Sequence, residues 1–352
     1  MSADVIEIAG RKIGPDHPPY VIAEMSGNHN GDLERAKMLI RLAAEAGADA
    51  VKLQTYTADT ITIDSDRDEF IVKDGMWKGR RLYELYQEAH TPWEWHAELF
   101  AHAKEHGITI FSSPFDETAV DLLEDLGAPA YKIASAEITH FPLMDKVAKT
   151  GKPVIVSTGM AEDAEIREAV DFLKKAGAKD LIVLHCISAY PTPISELNLR
   201  RIPYIAKTFD VQVGLSDHSM GVLGGVAGVV AGATVLEKHF TDSREKGGVD
   251  SGFSLDEHEL KELCKTVKEA HEGLGNEKNE LAKSEAGTRQ FRRSIYFVKP
   301  VAKGETITEE HIKVIRPASG LEPRHYWTVL GSKAATDIPA KVPAEWSMIE
   351  RS

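Results

Sequence analysis

Residues 130–157 read AYKIASAEITHFPLMDKVAKTGKPVIVS and contain one repeat of the pattern from which we infer the fold. A short apolar run, Ala130-Tyr-Lys-Ile, is followed by a segment with helical periodicity, then Gly151, then a second run, Pro153-Val-Ile-Val. Glycine suits the end of a helix because it has no Cβ to oppose the left-handed conformation found there. The order strand, helix, glycine, strand predicts a βαβ unit of a parallel sheet.

The same order recurs along the chain. Eight β-branched or apolar runs begin at Tyr20, Ala50, Ile108, Ala130, Pro153, Leu181, Val211 and Thr234. Six of the runs are preceded by a glycine, at Gly47, Gly107, Gly127, Gly151, Gly177 and Gly232. Eight repeats predict an α/β protein with a closed (β/α)₈ TIM barrel, which needs about 250 residues. An open doubly wound sheet is the alternative, and the lack of a GxGxxG turn after the first run disfavours it.

The chain is longer than one barrel requires. We expect the barrel to occupy residues 1–282, a polar linker residues 283–290 and a second domain residues 291–352. The last part begins with a strand-like run, Arg293-Ser-Ile-Tyr-Phe-Val. Prolines interrupt regular structure in the rest of it, at Pro300, Pro317, Pro323, Pro339 and Pro343. A small, irregular, β-rich domain is therefore predicted after the barrel.

One connection in the predicted barrel is unusually long. Residues 57–90 separate the second strand from its helix, whereas such loops usually have about 2–6 residues. This segment carries Trp77, Lys78, Arg80 and Arg81. Because the loops after the strands lie over the active-site end of a barrel, the segment is predicted to be a lid or a substrate loop.

Composition restricts the partners of the chain. A net charge of −13 at pH 7 disfavours nucleic acid, whose phosphates select clustered Lys and Arg. The longest apolar stretch, residues 221–233, is shorter than the ~18 residues expected of a membrane span. The N-terminus has no basic region followed by an apolar run, and Cys186 and Cys264 are far apart in the sequence. We therefore expect a cytoplasmic protein with unpaired thiols.

Catalytic groups of a parallel barrel come from the C-terminal ends of its strands. The second and fourth predicted strands carry Lys52 and Lys132, whose apolar sequence neighbours suit the face that packs against helices. Since strand side chains alternate, both lysines are expected to point into the barrel. An unpaired charge there is costly, so we expect an anionic partner, a phosphate or a carboxylate, with strand-end serines as further donors.

Two histidines predict a metal site at the same end. His218 and His239 end the seventh and eighth predicted strands, with Glu24 and Glu237 nearby. Two imidazoles with carboxylate or water suit Mn²⁺, Co²⁺ or Zn²⁺ and leave positions for substrate oxygens. The residues alone favour two chemistries equally, carbon–carbon bond formation or cleavage on an anionic substrate and metal-assisted hydrolysis.

Seven segments of the predicted barrel resemble the sialic acid synthase family. They are Glu24-Met-Ser-Gly-Asn-His-Asn-Gly31, Lys52-Leu-Gln54, Phe111-Ser-Ser-Pro-Phe115, Lys132-Ile-Ala-Ser135, Tyr190-Pro-Thr-Pro193, Gly214-Leu-Ser-Asp-His218 and Glu237-Lys-His-Phe240. The tail, with Arg293-Ser-Ile-Tyr, Lys303-Gly-Glu and Ile315-Arg-Pro317, resembles the antifreeze-like (SAF) domain of that family. Within the family, residues 82–96 and 243–254 are most similar to the pseudaminic acid synthase branch.

The resemblance implies a transferase that joins phosphoenolpyruvate to an amino-sugar aldehyde, in this branch 2,4-diacetamido-2,4,6-trideoxy-L-altrose. It implies catalytic roles for Glu24, Lys52, Lys132 and Glu237. It implies phosphoenolpyruvate binding by Lys52, Ser113, Lys132, Ser135, Ser157, Ser188 and Ser216. A divalent metal ion, Mn²⁺ or alternatively Co²⁺ or Mg²⁺, is implied on His218 and His239. The implied sugar-binding residues are Gln54, Tyr190, Asp250 and Arg316, and Arg316 is expected to come from the partner subunit of a homodimer with exchanged C-terminal domains.

Other functions stay open at this point. Within the family, the alternatives are an N-acetylneuraminate or a legionaminic acid synthase, and Ser188 stands where neuraminic acid synthases usually have Asn. A Schiff-base aldolase with Lys132 or Lys52 as nucleophile is an alternative from another class. A non-catalytic sugar- or ice-binding protein is suggested by the tail alone.

Overall fold

Eight parallel strands close into a barrel in the computed structural model, which describes residues 5–275 and 280–350. The barrel strands are β3 (Tyr20–Glu24), β4 (Ala50–Thr55), β5 (Thr109–Pro114), β6 (Tyr131–Ile133), β7 (Val154–Ser157), β8 (Leu181–Cys186), β9 (Gln212–Asp217) and β10 (Val235–His239). Each strand begins at the first residue of a predicted run or one residue after it. Strand β10 pairs with β3 and closes the barrel. The barrel prediction is confirmed and the open sheet is wrong.

Helices follow the strands in the expected rhythm. The helices that accompany the barrel strands are α1 (Leu33–Ala46), α2 (Ala58–Ile61), α3 (Leu82–Ala89), α4 (His96–Glu105), α5 (Glu117–Asp125), α6 (Phe141–Lys149), α7 (Asp163–Ala176), α8 (Arg201–Phe209), α9 (Leu223–Val230) and α10 (Glu257–Leu274). Helix α1 begins where its sequence provides an N-cap, because the Asp32 side chain accepts hydrogen bonds from the backbone N–H groups of Glu34 and Arg35. All six glycines predicted to end helices have φ between 66° and 112°.

The two ends of the barrel differ in polarity. A short hairpin, β1 (Ile6–Ile8) and β2 (Arg11–Ile13), precedes the barrel. Its isoleucines pack in one cluster with inward residues near the strand starts, such as Tyr20, Ala50 and Ala130. A second, larger cluster lies between the strands and the helices. The apolar plug fills the N-terminal end of the barrel, so polar inward residues are found toward the C-terminal ends of the strands.

The long connection after β4 is an ordered element, which we call the lid segment (residues 57–90). It contains α2, a 3₁₀-helix at Asp68–Phe70 and α3. An antiparallel bridge joins Ile71 to Arg81. The segment therefore has secondary structure of its own and is not an irregular loop.

The chain divides into two compact units between residues 275 and 276. The second unit has an antiparallel sheet in the order β12 (Ile312–Ile315), β11 (Ser294–Phe297), β13 (Val342–Pro343), a short helix α11 (Tyr326–Val329) and its own apolar core. The prediction of a small β-rich domain is confirmed. Residues 283–290, predicted as a linker, lie in an exposed 3₁₀-helix, Lys283–Phe291. In the parts of the chain that the structure describes, no helix has the length and apolar character needed to cross a bilayer.

Candidate active site

Lys52 and Lys132 point into the barrel and are 4% and 2% exposed. The Lys52 Nζ lies 2.9 Å from Glu24 Oε2 and 3.4 Å from Glu237 Oε1. The Lys132 Nζ lies 3.0 Å from the same Glu237 oxygen. The predicted direction of both lysines is confirmed, but the expectation that they are unpaired is wrong. Strands β10, β3 and β4 are neighbours, so their side chains supply the counter-charges that buried ammonium groups require.

The two lysines are not equivalent. An ammonium has three N–H donors, and three oxygen atoms lie near the Lys52 Nζ, because Ser113 Oγ at 3.2 Å joins the two carboxylates. Lys132 has one acceptor among the described residues, Glu237, and therefore keeps two N–H groups for a ligand. Burial by itself would lower the pKa of both lysines. The two carboxylates outweigh burial at Lys52 and raise its pKa, whereas burial prevails at Lys132 and lowers its pKa.

The two carboxylates also differ. Burial raises the pKa of Glu24 above its usual value, against the opposing effect of Lys52. Burial acts in the same direction on Glu237, but Lys132 and Lys52 outweigh it and lower the pKa of that carboxyl. Environments that push two pKa values apart separate a permanent charge from a proton-transfer group. Glu237 is thus the fixed anion of the network, and Glu24 is the carboxyl suited to exchange a proton.

Four of the five predicted serines fall into two groups. Ser216 Oγ donates to Glu237 Oε1 at 3.2 Å and, like Ser113, belongs to the lysine network. Ser135 Oγ accepts from the Gly159 N–H at 3.0 Å, and a Cβ on Gly159 would lie 2.0 Å from Ser188 Oγ. Ser135 and Ser188 therefore converge on a glycine that has no room for a side chain. The Ser157 Oγ is buried and has no hydrogen-bond partner within residues 5–275 and 280–350.

His218 and His239 lie side by side, with ring centroids 5.3 Å apart. The Nδ1 of His218 lies 3.0 Å from the Ile187 carbonyl, so it carries the proton and leaves Nε2 as a ligand atom. Burial holds the pKa of His239 well below its usual value, which keeps that ring neutral. Its Nδ1 is buried without a hydrogen bond in the described chain. Each ring, when neutral, thus offers a nitrogen suited to bind a metal ion.

The carboxylates predicted near the histidines form their ion pairs with the lysines. Glu24 and Glu237 are held by the lysines, and it is Asp250 whose Oδ2 lies 3.7 Å from His239 Nδ1. No group of three or more His, Cys, Asp or Glu side chains suited to a metal ion occurs in the described ranges. The residues fit an open site with two imidazole ligands and further positions for water or substrate, and they do not fit a closed structural site.

A cavity of about 270 Å³ adjoins the histidines and lies beneath the lid segment. Its lining is Ser26, Gln54, Tyr56, Val72, Trp77, Leu82, Leu85, Tyr86, Ala89, Tyr190, His239, Val249 and Asp250. The lid prediction is confirmed, since the segment supplies six of these residues. Three predicted sugar-binding residues, Gln54, Tyr190 and Asp250, line this cavity. The fourth, Arg316, is exposed on the second unit, directly after β12.

Sequence reasoning missed Ser26. Its hydroxyl accepts from Gln54 Nε2 at 3.1 Å and donates to Asp250 Oδ2, while the same Gln54 amide donates to Glu24 Oε1 at 2.9 Å. Ser26 therefore links the cavity to the lysine network. Its position offered a signal, because Ser26 lies in the loop directly after the end of a barrel strand, where functional groups of such barrels are found.

One strand-end histidine lies outside the site. His185 is on β8, and its Nε2 lies 2.8 Å from the Leu197 carbonyl. Lys238 likewise makes its contact within the frame, a buried ion pair with Asp217 at 2.8 Å that does not involve Lys52 or Lys132. These residues hold the frame together and do not reach the cavity.

Comparisons with known proteins agree with this geometry. The model of the NeuB family matches residues 39–279, and the model of the SAF domain matches residues 292–350. Proteins named pseudaminic acid synthase from Campylobacter jejuni (subsp. jejuni serotype O:23/36, strain 81-176) and Helicobacter pylori (strain ATCC 700392 / 26695) are 45% and 42% identical to this chain. These alignments cover 92% and 95% of this chain and 94% and 99% of those proteins.

A solved structure gives the same result. The crystal structure of N-acetylneuraminic acid (sialic acid) synthetase from Leptospira borgpetersenii serovar Hardjo-bovis, in complex with citrate, has a TM-score of 0.74 and 31% identity to this chain. The match covers 82% of this chain and 95% of that protein. Because the family match and the full-length relatives together span the barrel and the small domain, the chain belongs to the NeuB family, with an SAF domain after its barrel.

Proposed function

We propose that this chain condenses phosphoenolpyruvate with 2,4-diacetamido-2,4,6-trideoxy-β-L-altropyranose and water, giving pseudaminic acid and phosphate. Relatives named pseudaminic acid synthase, which are 42–45% identical over almost the whole chain, support the assignment. The observation that carries it is the neighbourhood of two features. A buried lysine with uncommitted donors lies in the barrel, and a cavity beneath the lid is joined to its network by the bond from Gln54, which lines the cavity, to Glu24.

Phosphoenolpyruvate binds at the lysine network in this proposal. The two free N–H groups of Lys132 and the unpartnered Ser157 hydroxyl are donors without an acceptor in the described residues. A phosphate and a carboxylate together accept from many directions, which suits such donors. The remaining members of this subsite are Lys52, Ser113, Ser135, Ser188 and Ser216.

The two histidines would hold the divalent ion, Mn²⁺ or alternatively Co²⁺ or Mg²⁺. The support is the side-by-side placement of two buried imidazole rings and the Asp250 carboxylate beside His239. When bound, such an ion polarises the sugar aldehyde as a Lewis acid.

The reaction then proceeds between the two subsites. Carbon 3 of phosphoenolpyruvate forms a bond to the aldehyde carbon as the enol and carbonyl π bonds break, and the aldehyde oxygen takes a proton from solvent to become a hydroxyl. The cation left at carbon 2 is stabilised by the nearby carboxylate of Glu24. Water adds to carbon 2, and Glu24 accepts its proton as a general base. The tetrahedral product collapses with cleavage of the carbon–oxygen bond and release of phosphate. Gln54 and Ser26 orient Glu24 and Asp250 for these steps.

The functional unit in this proposal is a homodimer with exchanged C-terminal domains. Arg316 of the partner subunit would then reach the N-acyl group of the sugar. Its exposure on the small domain supports this role, because an exposed guanidinium is free to bind a neighbouring chain.

A product assay tests the assignment. Phosphoenolpyruvate is offered with the trideoxy-L-altrose, with its trideoxy-D-mannose analogue and with N-acetylmannosamine, and phosphate release is measured for each. We expect efficient release only with the L-altrose sugar. Comparable kcat/KM values for N-acetylmannosamine would contradict the assignment and favour an N-acetylneuraminate synthase, and a preference for the D-mannose analogue would favour a legionaminic acid synthase.

One observation favours a second chemistry. The lowered pKa of Lys132, which burial causes, is what a Schiff-base nucleophile needs. Borohydride treatment in the presence of a keto acid distinguishes the two, because it traps only an imine. We expect no covalent adduct, and a stable adduct on Lys132 would establish the aldolase instead.

A further inference from the structure

The lid segment presents an apolar face to the cavity. Its six lining residues are all aliphatic or aromatic, namely Val72, Trp77, Leu82, Leu85, Tyr86 and Ala89. The basic residues of the same segment instead pair with its own acidic residues, as Arg80 does with Glu88 and Arg81 with Asp64. The lid therefore gives the cavity shape and apolar area, but no charged group.

Trp77 fixes the position of this face. Its indole N–H donates a hydrogen bond of 2.9 Å to the Val249 carbonyl, and its ring centroid lies 5.5 Å from that of Tyr190. Val249 directly precedes Asp250, so the bond ties the lid to the polar side of the same cavity. Since its N–H is already engaged, the indole offers a sugar only apolar surface.

The lining outside the lid segment is more polar. It contains Ser26, Gln54, His239 and Asp250 beside Tyr56, Tyr190 and Val249, so a sugar in the cavity meets hydrogen-bonding groups from the barrel and mostly carbon atoms from the lid. A hydroxyl turned toward the lid loses its water without gaining a partner. A methyl group in that position gains by leaving water.

From this asymmetry we propose that the inner face of the lid, including Val72 and Trp77, is a specificity subsite for the C6 methyl group of the sugar. It selects 6-deoxy sugars and rejects their 6-hydroxy counterparts. The inference rests on the proposed condensation and states which sugars the same site accepts.

The first test compares two sugars that differ by one oxygen atom. Phosphate release from phosphoenolpyruvate is measured with 2,4-diacetamido-2,4,6-trideoxy-L-altrose and with its 6-hydroxy counterpart. We expect kcat/KM to favour the 6-deoxy sugar by about 10- to 100-fold, the range over which apolar pockets discriminate such differences. A ratio near one overturns the inference.

Three variants then test the residues. Val72→Thr adds a hydroxyl at nearly constant volume, and Trp77→Gln replaces the ring with an amide. Each should lower the 6-deoxy preference at least about fivefold, because the 6-hydroxy sugar gains a partner. Trp77→Phe keeps the apolar surface and loses only the bond to Val249, so KM should rise for both sugars while the preference stays. An unchanged preference in both polar variants refutes the subsite.

A matched control lies on the same segment. Ile63 is 62% exposed and does not line the cavity, so Ile63→Thr should leave both the preference and the turnover unchanged. Acceptance of a different 6-deoxy diacetamido sugar, with a preference that Val72→Thr weakens, would disprove the L-altrose assignment and leave the subsite intact. Acceptance of the L-altrose sugar, with a preference that no lid variant alters, would support the L-altrose assignment and refute the subsite.

Discussion

The lysine network and the lid cavity adjoin each other, yet they are built differently. The network stands on barrel strands, its charges are paired within the chain, and its lysines are at most 4% exposed. The lid side of the cavity stands on a long connecting segment and is apolar. Strand-borne groups have positions fixed by the sheet, whereas loops tolerate sequence change. The difference indicates that the frame carries the constant chemistry of phosphoenolpyruvate and the lid carries the choice of sugar.

The largest expected effect arises where the two regions meet. Exhaustive chelation should abolish turnover, and Mn²⁺ or Co²⁺ should restore it, because the aldehyde then regains its Lewis acid. His218→Ala and His239→Ala should each lose bound metal as measured by elemental analysis. His185→Ala is the control, since that ring bonds to the Leu197 carbonyl and its loss should not change the metal content. Full activity after confirmed metal removal would contradict the proposal.

The lysine network gives the next largest effect. Lys132→Met removes the lysine with free donors, so phosphate release should fall by about a thousandfold, the scale set by loss of one preorganised electrostatic donor. The variant also leaves Glu237 with one cation fewer, which should lower the melting temperature, since breaking a buried pair costs about 3–5 kcal/mol.

A second substitution separates the two effects. Lys132→Met combined with Glu237→Gln removes both charges of the pair, so the melting temperature should recover while activity does not. Recovery of activity in the double variant would show that Lys132 has a structural role only.

Substitution of Glu24 should have a smaller effect, which should appear in kcat and not in KM. Glu24→Gln keeps the bond geometry to Gln54 but removes the base, so kcat should drop by about a hundredfold while the KM for phosphoenolpyruvate changes little. In the unaltered chain, activity should decline on the acid side as Glu24, whose pKa is raised, becomes protonated. A weaker KM with unchanged kcat would make Glu24 a substrate ligand instead.

The same division between strand and loop explains what could be predicted from the sequence. Lys52 and Lys132 were placed correctly because alternation along a strand is local and has period two. Their pairing was not foreseen, since Lys132 and Glu237 are 105 residues apart in the sequence and meet only through the closed barrel.

The lid segment shows more clearly what could not be predicted from the sequence. The length of residues 57–90 predicted a lid, but the sequence did not indicate which side chains face the cavity. Trp77 is placed by a bond to a carbonyl 172 residues away, and Arg80 and Arg81 are turned outward by ion pairs within the segment. Such an orientation follows from tertiary contacts, which cannot be predicted from local periodicity.

The smallest expected signal concerns a residue that belongs to neither region. Arg316→Ala and Lys132→Ala should each give a nearly inactive homodimer. In a mixed dimer, the barrel of the Arg316→Ala chain is intact and can receive Arg316 from the Lys132→Ala chain, so one of two composite sites is complete. Coexpressed chains with different tags, purified through both tags, should therefore regain up to about half of the unaltered activity, as one site in two predicts.

The alternative arrangement makes the opposite prediction for the same sample. If Arg316 acted on the barrel of its own chain, every site in the mixed dimer would lack either Arg316 or Lys132, and no activity would return. A mixed dimer of Arg316→Ala with Ile63→Thr controls for mixing, because exchange leaves it one complete site, the Arg316→Ala barrel supplied with the partner's arginine. Inactive Arg316→Ala and Lys132→Ala mixtures beside an active control would therefore show that each subunit completes its own site, and the proposal of exchanged domains would be wrong.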